Sequence, residues 1–222
     1  ITMAAALTAA TGTPATIVDT SPGTMRNGRY TISDFRNYGA LTVTGVLTKS
    51  SNVGAAKLAL ALPDQYFYDF IHGFGYGSKP GSGFPGEASG LLAAPRQWSG
   101  TTKATMSYGY GLSATPLQIA VAYAAIANGG RVIAPTFVKG QRNEARQAID
   151  PVVSRQVLHA MKTVTETGGT ATSAAILGYH VAGKTGTSRK FSSTGGYSRQ
   201  YVALFAGVVP VECKNSVTSA MV

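Results

Sequence analysis

The spacing of apolar residues predicts helices in the first part of the chain and again near its middle. Residues 1–10 are rich in alanine, which favours a helix. Residues 119–127 are apolar on nearly every face, so we expect a buried helix there. Thr115 suits the N-cap of that helix, Pro116 suits its first position, and the Asn-Gly-Gly sequence at 128–130 ends it.

A second apolar stripe with helical spacing follows the Asp-Pro pair at 150–151. Its members recur every three or four positions, and they are Val153, Val157, Met161 and Val164. The Gly-Gly pair at 168–169 is expected to end this helix.

Two regions lack a regular period and carry turn residues instead. Residues 17–48 mix short β-favouring pieces with turn residues, so we interpret them as irregular structure with one hairpin. Residues 73–95 are dense in Gly, Pro and Ser, which predicts a long surface loop.

The last part of the chain changes to the alternation that is typical of strands. We predict strands at residues 179–189 and 201–209, joined by the polar loop 190–200, and the beginning of a third strand at 216–222. Helices followed by a short antiparallel set give an α+β fold class. A sheet of this size is too small to be stable alone, so we expect the domain to be incomplete at both ends.

Composition limits the class of protein. The chain has 222 residues, of which 44% are hydrophobic and only 13% charged, so it can form one large domain or two small ones with a real core. Its 27 glycines show no three-residue repeat, which excludes a collagen-like structure. No run of about 18 apolar residues is present, so no segment is expected to span a bilayer. The single cysteine, Cys213, allows no internal disulfide.

The net charge of +10 raises the question of an anionic partner. The basic residues are scattered and accompany no nucleic-acid-binding motif, so we favour an anionic substrate or membrane surface and expect no nucleic-acid partner. The three histidines, His72, His159 and His180, lack ligand spacing, so no metal is expected. No glycine-rich loop has the context of a phosphate cradle, and no cofactor is predicted.

Two short motifs carry the candidate chemistry. Ser50-Ser51-Asn52, an S-x-N triplet, precedes a helix-like segment at 53–61, and Lys184-Thr185-Gly186, a K-T-G triplet, lies within the strand predicted at 179–189. In that order they form two thirds of the signature of serine acyl-transfer enzymes that react with penicillin. A lysine and a serine hydroxyl can relay protons, and an asparagine amide can both donate to and accept from a substrate peptide bond.

Each triplet alone is weak evidence. Ser-Ser-Asn before a helix is adequately explained as a helix cap, and Lys-Thr-Gly occurs by chance at strand ends. Their order, the predicted strand and the sequence between them make the pair far more specific than either part.

The chain resembles the transpeptidase domain of class B penicillin-binding proteins, and most closely that of the septal, cell-division members from Gram-negative bacteria. The similarity extends over residues 1–222. It is carried by four segments, at 41–54, 83–87, 108–118 and 179–187. The resemblance implies a penicillin-binding, β-lactamase-like transpeptidase fold with an antiparallel sheet flanked by helices and an all-helical lobe. We expect the lobe at roughly 1–130 and the sheet-side part at roughly 131–222.

The resemblance also implies roles for individual residues. Ser50 would relay a proton to the leaving group, Asn52 would hold the substrate amide, and Lys184 would tune the electrostatics of Ser50. Residues that bind substrate would be Thr185, Gly186, Thr187, Arg189 and Tyr110. The implied substrate is a peptidoglycan stem peptide ending in D-Ala-D-Ala, β-lactams would react at the same site, and the parent protein would work with other cell-division proteins on the periplasmic face of the bacterial inner membrane.

One part of the family pattern is missing. The S-x-x-K motif with the nucleophile occurs nowhere in the 222 residues. In the family this motif opens the helix that residues 1–10 resemble, so we expect an interior fragment whose nucleophile lies upstream and which is inactive alone.

Three alternatives arise, and two of them, a D,D-carboxypeptidase and a non-catalytic module, stay open. A D,D-carboxypeptidase would use the same residues with water as acceptor. A class A β-lactamase would need a glutamate in an E-x-x-L-N type motif to activate water. None of the chain's four glutamates lies in such a motif: Glu87, Glu144, Glu166 and Glu212. A non-catalytic penicillin-binding-fold module would also lack the nucleophile.

Overall fold

The computed structural model of the protein describes residues 1–191, 196–211 and 219–221. In this part of the chain the α-helices are α1 (Thr2–Thr8), α2 (Val43–Lys49), α3 (Asn52–Leu60), α4 (Asp64–Gly73), α5 (Thr102–Met106), α6 (Pro116–Ala127) and α7 (Pro151–Lys162). The strands are β1 (Ile17–Asp19), β2 (Thr24–Asn27), β3 (Tyr30–Ser33), β4 (Ala40–Thr42), β5 (Leu91–Leu92), β6 (Leu112–Ser113), β7 (Arg131–Ile133), β8 (Ala145–Gln147), β9 (Ala182–Phe191), β10 (Tyr197–Val209) and β11 (Ser219–Met221).

The two helices with clear start signals are confirmed. At the start of α6, the Gln118 amide N–H donates to Thr115 Oγ1 at 3.1 Å and the Thr115 amide N–H donates to Gln118 Oε1 at 2.8 Å, which is a reciprocal capping box. At the start of α7, the Asp150 carboxylate accepts from the Val152 amide at 2.7 Å. Helix α7 ends earlier than predicted, at Lys162, although Val164 beyond it is fully buried.

The interpretation of residues 17–48 is wrong in part. The predicted hairpin is present, since β2 and β3 pair antiparallel, but the segment also contains the helix α2. This helix is capped by Thr42, whose hydroxyl accepts from the Gly45 amide. Burial of Val43 and Val46 explains why the segment is helical in spite of its β-branched residues.

The main sheet has the strand order β11-β10-β9, with both pairs antiparallel. Strand β9 starts at Ala182 instead of residue 179, because the Tyr179 amide closes a turn onto the Ile176 carbonyl. Strand β10 starts earlier than predicted, at Tyr197. The predicted third strand is present as β11. Residues 192–195 of the predicted loop, residues 216–218 and 222 of the predicted strand, and residues 212–215, which include Glu212 and Cys213, lie outside the described residues.

Helix α7 joins the helices to the sheet. It packs against β9 on one side and against α1, α2 and α6 on others. The core that results includes the fully buried rings of Phe67 and Phe74. The division near residue 130 between a helical lobe and a sheet-side part stays a prediction. Within the described ranges, no helix has the length and apolar character needed to cross a bilayer, and no three acidic, histidine or cysteine side chains gather as a metal site.

Replacing Gln118 with leucine is expected to lower the free energy of unfolding by about 3 kcal/mol, because it removes the buried amide that several backbone carbonyls share, and a polar group left without a hydrogen bond costs about 1–3 kcal/mol. The Gln118 side chain is 1% exposed, and its Nε2 lies 2.8 to 3.0 Å from the carbonyl oxygens of Gly75, Ser78 and Ser89. Denaturant unfolding would measure the loss. The exposed Gln65, replaced in the same way, is the control, and equal effects of the two changes would contradict the prediction.

Candidate active site

The S-x-N triplet lies at the junction of α2 and α3. Ser50 is the C-cap of α2 and has a left-handed backbone, with φ of 56° and ψ of 44°. Ser51 is the N-cap of α3, and its hydroxyl accepts from the Gly54 amide at 2.9 Å. The capping explanation therefore applies to Ser51, while the Ser50 hydroxyl stays exposed at the bend between the helices.

Asp34, a residue that the sequence analysis missed, fixes this junction from the end of β3. One carboxylate oxygen accepts from Ser51 Oγ at 2.6 Å, and the other accepts from the Val53 amide at 3.0 Å. Next to it, Asn52 Nδ2 donates to the Ser33 carbonyl at 2.9 Å. The one signal in the sequence was an isolated aspartate directly after a short β-favouring run.

Replacing Asp34 with alanine is expected to cost about 1–3 kcal/mol of unfolding free energy, because it leaves buried Ser51 and the Val53 amide without their acceptor. The same change should slow any reaction that depends on the position of Ser50 and Asn52. Thermal unfolding would measure the loss of stability, and the rate of acylation of the complete gene product by a fluorescent penicillin would measure the effect on the reaction. Asp69→Ala, which removes an exposed acceptor of Gln65 Nε2, is the matched control and should change neither measurement.

Lys184 projects from β9 to the S-x-N junction. Its Nζ donates to Ser50 Oγ at 2.7 Å and to the Thr185 carbonyl at 2.8 Å. Burial lowers the pKa of the Lys184 ammonium to about 8, since removal from water disfavours the charged form. The two triplets, which are 134 residues apart in sequence, are thus in direct contact.

A cleft of about 420 Å³ opens around this contact. The predicted site residues that line it are Ser50, Asn52, Tyr110, Lys184, Thr185, Gly186 and Thr187. The start of α1 lines the same cleft through Ile1, Thr2 and Met3. Another cavity of about 490 Å³ lies beside α4, α6 and the β7–β8 hairpin, and its described lining includes none of the predicted site residues.

Arg189 is the predicted site residue that does not line this cleft. Its amide N–H donates to Tyr110 Oη at 3.2 Å, and its guanidinium lies 5.8 Å from the centroid of the Tyr201 ring, which is its partner across the β9–β10 pair. The backbone of Arg189 therefore orients Tyr110 at the cleft wall, and binding of a carboxylate by its side chain stays a prediction.

The K-T-G strand has its own supports. Thr185 Oγ1 lies 3.0 Å from Thr170 Oγ1, while Thr187 is exposed in the cleft. A Cβ at Gly186 would come 3.1 Å from Leu204 Cγ on β10, so the missing side chain also serves packing within the sheet. Because β9 is an edge strand of the sheet in the described residues, its outer side borders the cleft.

Comparison with known proteins gives consistent matches. The family model described as "Penicillin binding protein transpeptidase domain" matches residues 1–222. The chain is 44% identical over 181 residues to the peptidoglycan D,D-transpeptidase FtsI of Escherichia coli, which is 81% of this chain and 31% of that protein. It is 36% identical over 206 residues to the probable peptidoglycan D,D-transpeptidase PbpC of Pseudomonas aeruginosa, which is 92% of this chain and 36% of that protein. The chain thus spans about a third of the length of these curated relatives.

Solved structures agree with this result. The transpeptidase domain of penicillin-binding protein 3 from Burkholderia pseudomallei superposes with a TM-score of 0.89 at 37% identity, over 95% of this chain and 65% of that one. Penicillin-binding protein 3 from Mycobacterium tuberculosis, in complex with aztreonam, superposes with a TM-score of 0.88 at 31% identity, over 95% of this chain and 52% of that one. The α+β fold expected from the sequence is confirmed by these neighbours.

Proposed function

Because this chain belongs to the transpeptidase-domain family of class B penicillin-binding proteins, we propose that it forms the proton-relay and substrate-binding wall of a serine D,D-transpeptidase. The complete protein attacks the terminal D-Ala-D-Ala bond of a peptidoglycan stem peptide and transfers the acyl group to an amine on a neighbouring strand. The observation that carries this proposal is the 2.7 Å contact between Lys184 Nζ and Ser50 Oγ at the edge of the cleft.

The contact fixes the direction of the Ser50 proton. An ammonium has donors and no acceptor, so Ser50 Oγ accepts from Lys184 and its own hydrogen points elsewhere. In the acylation step, a serine oxygen forms a bond to the substrate carbonyl carbon, and the bond from that carbon to the nitrogen of the leaving D-alanine breaks. Ser50 donates a proton to that nitrogen, and the proton is replaced from the nucleophile through the relay.

The proposal requires a nucleophile that residues 1–222 do not supply as an S-x-x-K motif. The N-terminal end of α1 lines the same cleft as Lys184, through Ile1 and Thr2. A serine contributed at this end of α1 would therefore face the relay pair. The proposed activity belongs to the protein that includes such a serine, and we expect the isolated chain to be inactive.

The edge of β9 is the proposed substrate platform. A peptide can add to an edge strand through main-chain hydrogen bonds, and the Thr185 and Thr187 hydroxyls then face its terminal carboxylate. Asn52, on the opposite side of the cleft, has an amide group that can bind the substrate peptide bond. The Thr187 backbone N–H supplies one of the two donors for the oxyanion.

Acylation by a fluorescent penicillin tests the proposal. The complete gene product that contains this chain should form a covalent adduct, visible as one penicilloyl mass on the intact protein. Absence of any adduct would contradict the proposed serine chemistry. Incubation with a stem peptide and a D-amino acid acceptor then distinguishes transfer to an amine from hydrolysis, which a D,D-carboxypeptidase would favour.

We also propose that the complete protein works in septal wall synthesis, on the periplasmic face of the inner membrane, together with other division proteins. The similarity to FtsI supports this assignment. Depletion of the protein should block division and produce filaments, whereas swelling without a division defect would argue for a role in elongation.

A further inference from the structure

One segment contacts both sides of the cleft and has no role in the chemistry described so far. It comprises residues 163–170, which follow α7, and is called here the 163–170 turn. At its beginning, Thr163 Oγ1 lies 2.5 Å from Thr48 Oγ1 in α2. Near its end, the Gly168 carbonyl accepts from Lys49 Nζ at 2.7 Å. Lys49 directly precedes Ser50, so the turn holds the last residues before the relay serine.

The same turn contacts the K-T-G strand and the residues leading into it. Thr165 Oγ1 donates to the Val181 carbonyl at 2.6 Å in a buried contact, just before β9 begins. Thr170 Oγ1 lies 3.0 Å from Thr185 Oγ1 within the triplet itself. The segment thus spans the distance between the two triplets.

The turn is built to be rigid. The Ala171 amide donates to the Val164 carbonyl at 2.9 Å, and the Gly169 amide donates to the Glu166 carbonyl at 2.9 Å. A Cβ at Gly169 would come 2.1 Å from the Val164 carbonyl oxygen, so the turn closes as tightly as glycine allows. Val164 and Thr165, within the turn, are buried.

We propose that the 163–170 turn positions the two triplets relative to each other, with Lys49 and Thr170 as the positioning residues: Lys49 joins the turn to the S-x-N side, and Thr170 joins it to the K-T-G strand. The inference rests on the proposed function, because the separation that it sets is that of Ser50 from Lys184 and Thr185. Neither positioning residue needs to touch the substrate. If either contact is removed, both sides of the cleft lose their common support.

The test is whether removing the contact beside one triplet changes the kinetic constant that depends on the other triplet, measured in the complete gene product. We call this a crossed effect. Stopped-flow acylation by a fluorescent penicillin separates the dissociation constant of the initial complex from the rate constant of acylation. Lys49→Met removes the contact beside Ser50, yet we expect it also to weaken initial binding at Thr185. Thr170→Val removes the contact beside Thr185, yet we expect it also to slow acylation. Each crossed effect should be about 3- to 10-fold, the size expected for one lost hydrogen bond.

The chain offers a close control for the lysine. Lys57 Nζ donates to the Asp19 carbonyl at 2.6 Å from the last turn of α3, as Lys49 does from the last turn of α2, and both lysines are half-buried. Lys57→Met should leave both kinetic constants unchanged. Lys49→Arg and Thr170→Ser retain a donor or hydroxyl and should restore most of the lost rate.

The double variant completes the test. Because Lys49 and Thr170 act through one segment, Lys49→Met and Thr170→Val together should be little worse than the poorer single variant. The inference would be overturned if the effects of the two changes multiplied in the double variant. It would also be overturned if Lys49→Met changed only the acylation rate constant and Thr170→Val changed only the dissociation constant. A wild-type protein that fails to react with penicillin would instead overturn the proposed function, and this inference with it.

Discussion

Replacement of Ser50 by alanine is expected to lower the rate of acylation by penicillin at least about 100-fold, which is the lower range for losing a proton-transfer group. The hydroxyl is the acceptor of Lys184 Nζ and lies exposed in the cleft, where its hydrogen can reach a leaving group. Without it, the nitrogen released when the β-lactam ring opens has no proton donor from this wall of the cleft. The measurement is the second-order rate constant for labelling of the complete gene product by a fluorescent penicillin.

The backbone of Ser50 calls for a second variant. Its φ of 56° is a left-handed conformation that alanine adopts at a cost and glycine adopts freely. Ser50→Gly should therefore be at least as stable as the wild type and yet as slow as Ser50→Ala. A Ser50→Gly protein that keeps wild-type acylation would contradict the relay role.

Ser51→Ala is the contrasting neighbour. Ser51 caps α3 and donates to Asp34, so its loss is expected to cost about 1–2 kcal/mol of unfolding free energy, the upper range for a helix N-cap. Its hydroxyl takes no part in the relay. The two adjacent serines should thus differ in effect: loss of the Ser50 hydroxyl lowers the acylation rate, and loss of the Ser51 hydroxyl lowers the free energy of unfolding.

The helices that could be predicted from the sequence were those whose signals are local. The start of α6 is indicated by Thr115, Pro116 and Gln118 within four residues. The start of α7 is indicated by Asp150 followed by a proline. Helix α2 has the sequence Val-Thr-Gly-Val-Leu-Thr-Lys, which favours no helix by propensity. It forms because the fold buries Val43 and Val46, which is tertiary information that a local pattern does not contain.

The candidate site shows the same division. Ser50, Asn52 and Lys184 could be singled out because a resemblance to known proteins joins motifs that are far apart in sequence. Their supports could not be predicted in this way. Asp34 is a lone carboxylate, and Lys49 and Asn52 donate to the backbone carbonyls of Gly168 and Ser33, which any residue type would supply. Contacts to main-chain atoms leave no pattern in the side-chain sequence.

Arg189 illustrates a limit of strand periodicity. Alternation puts Thr185, Thr187 and Arg189 on one face of β9, which is compatible with a shared role in carboxylate binding, and for Arg189 that role stays a prediction. The direct cross-strand partner of Arg189 is Tyr201, and the guanidinium lies over that ring. Register with β10, which the sequence alone does not reveal, decides where the side chain lies.

Acylation is expected to decline as the pH rises through about 8, because the buried Lys184 ammonium has its pKa lowered to about 8 and loses its proton there instead of near 10.5. Below this pH the ammonium can only donate, so Ser50 Oγ accepts from it and keeps its own hydrogen for the leaving group. Above it, the neutral amine can accept from Ser50 and draw that hydrogen away.

Two variants assign the decline to Lys184. Lys184→Met should react at least about 100-fold more slowly at pH 7 and show no decline through pH 8, because the titrating group is gone. Lys184→Arg keeps a charge that does not titrate below about pH 12, so whatever rate it retains should stay level from pH 7 to 10. Lys57→Met, which changes a lysine that does not line the cleft and donates to the Asp19 carbonyl, should reproduce the wild-type profile.

The pH profile also separates the two possible states of the relay. If the neutral amine were the active form, the rate would rise through pH 8 instead of falling, and Lys184→Arg would be as slow as Lys184→Met. A decline that persists in Lys184→Met would assign the titration to another group. Ser50 Oγ and the Thr185 carbonyl both accept from Nζ, and of the two protonation states only the ammonium is unable to accept the Ser50 hydrogen in return, so we expect the falling profile.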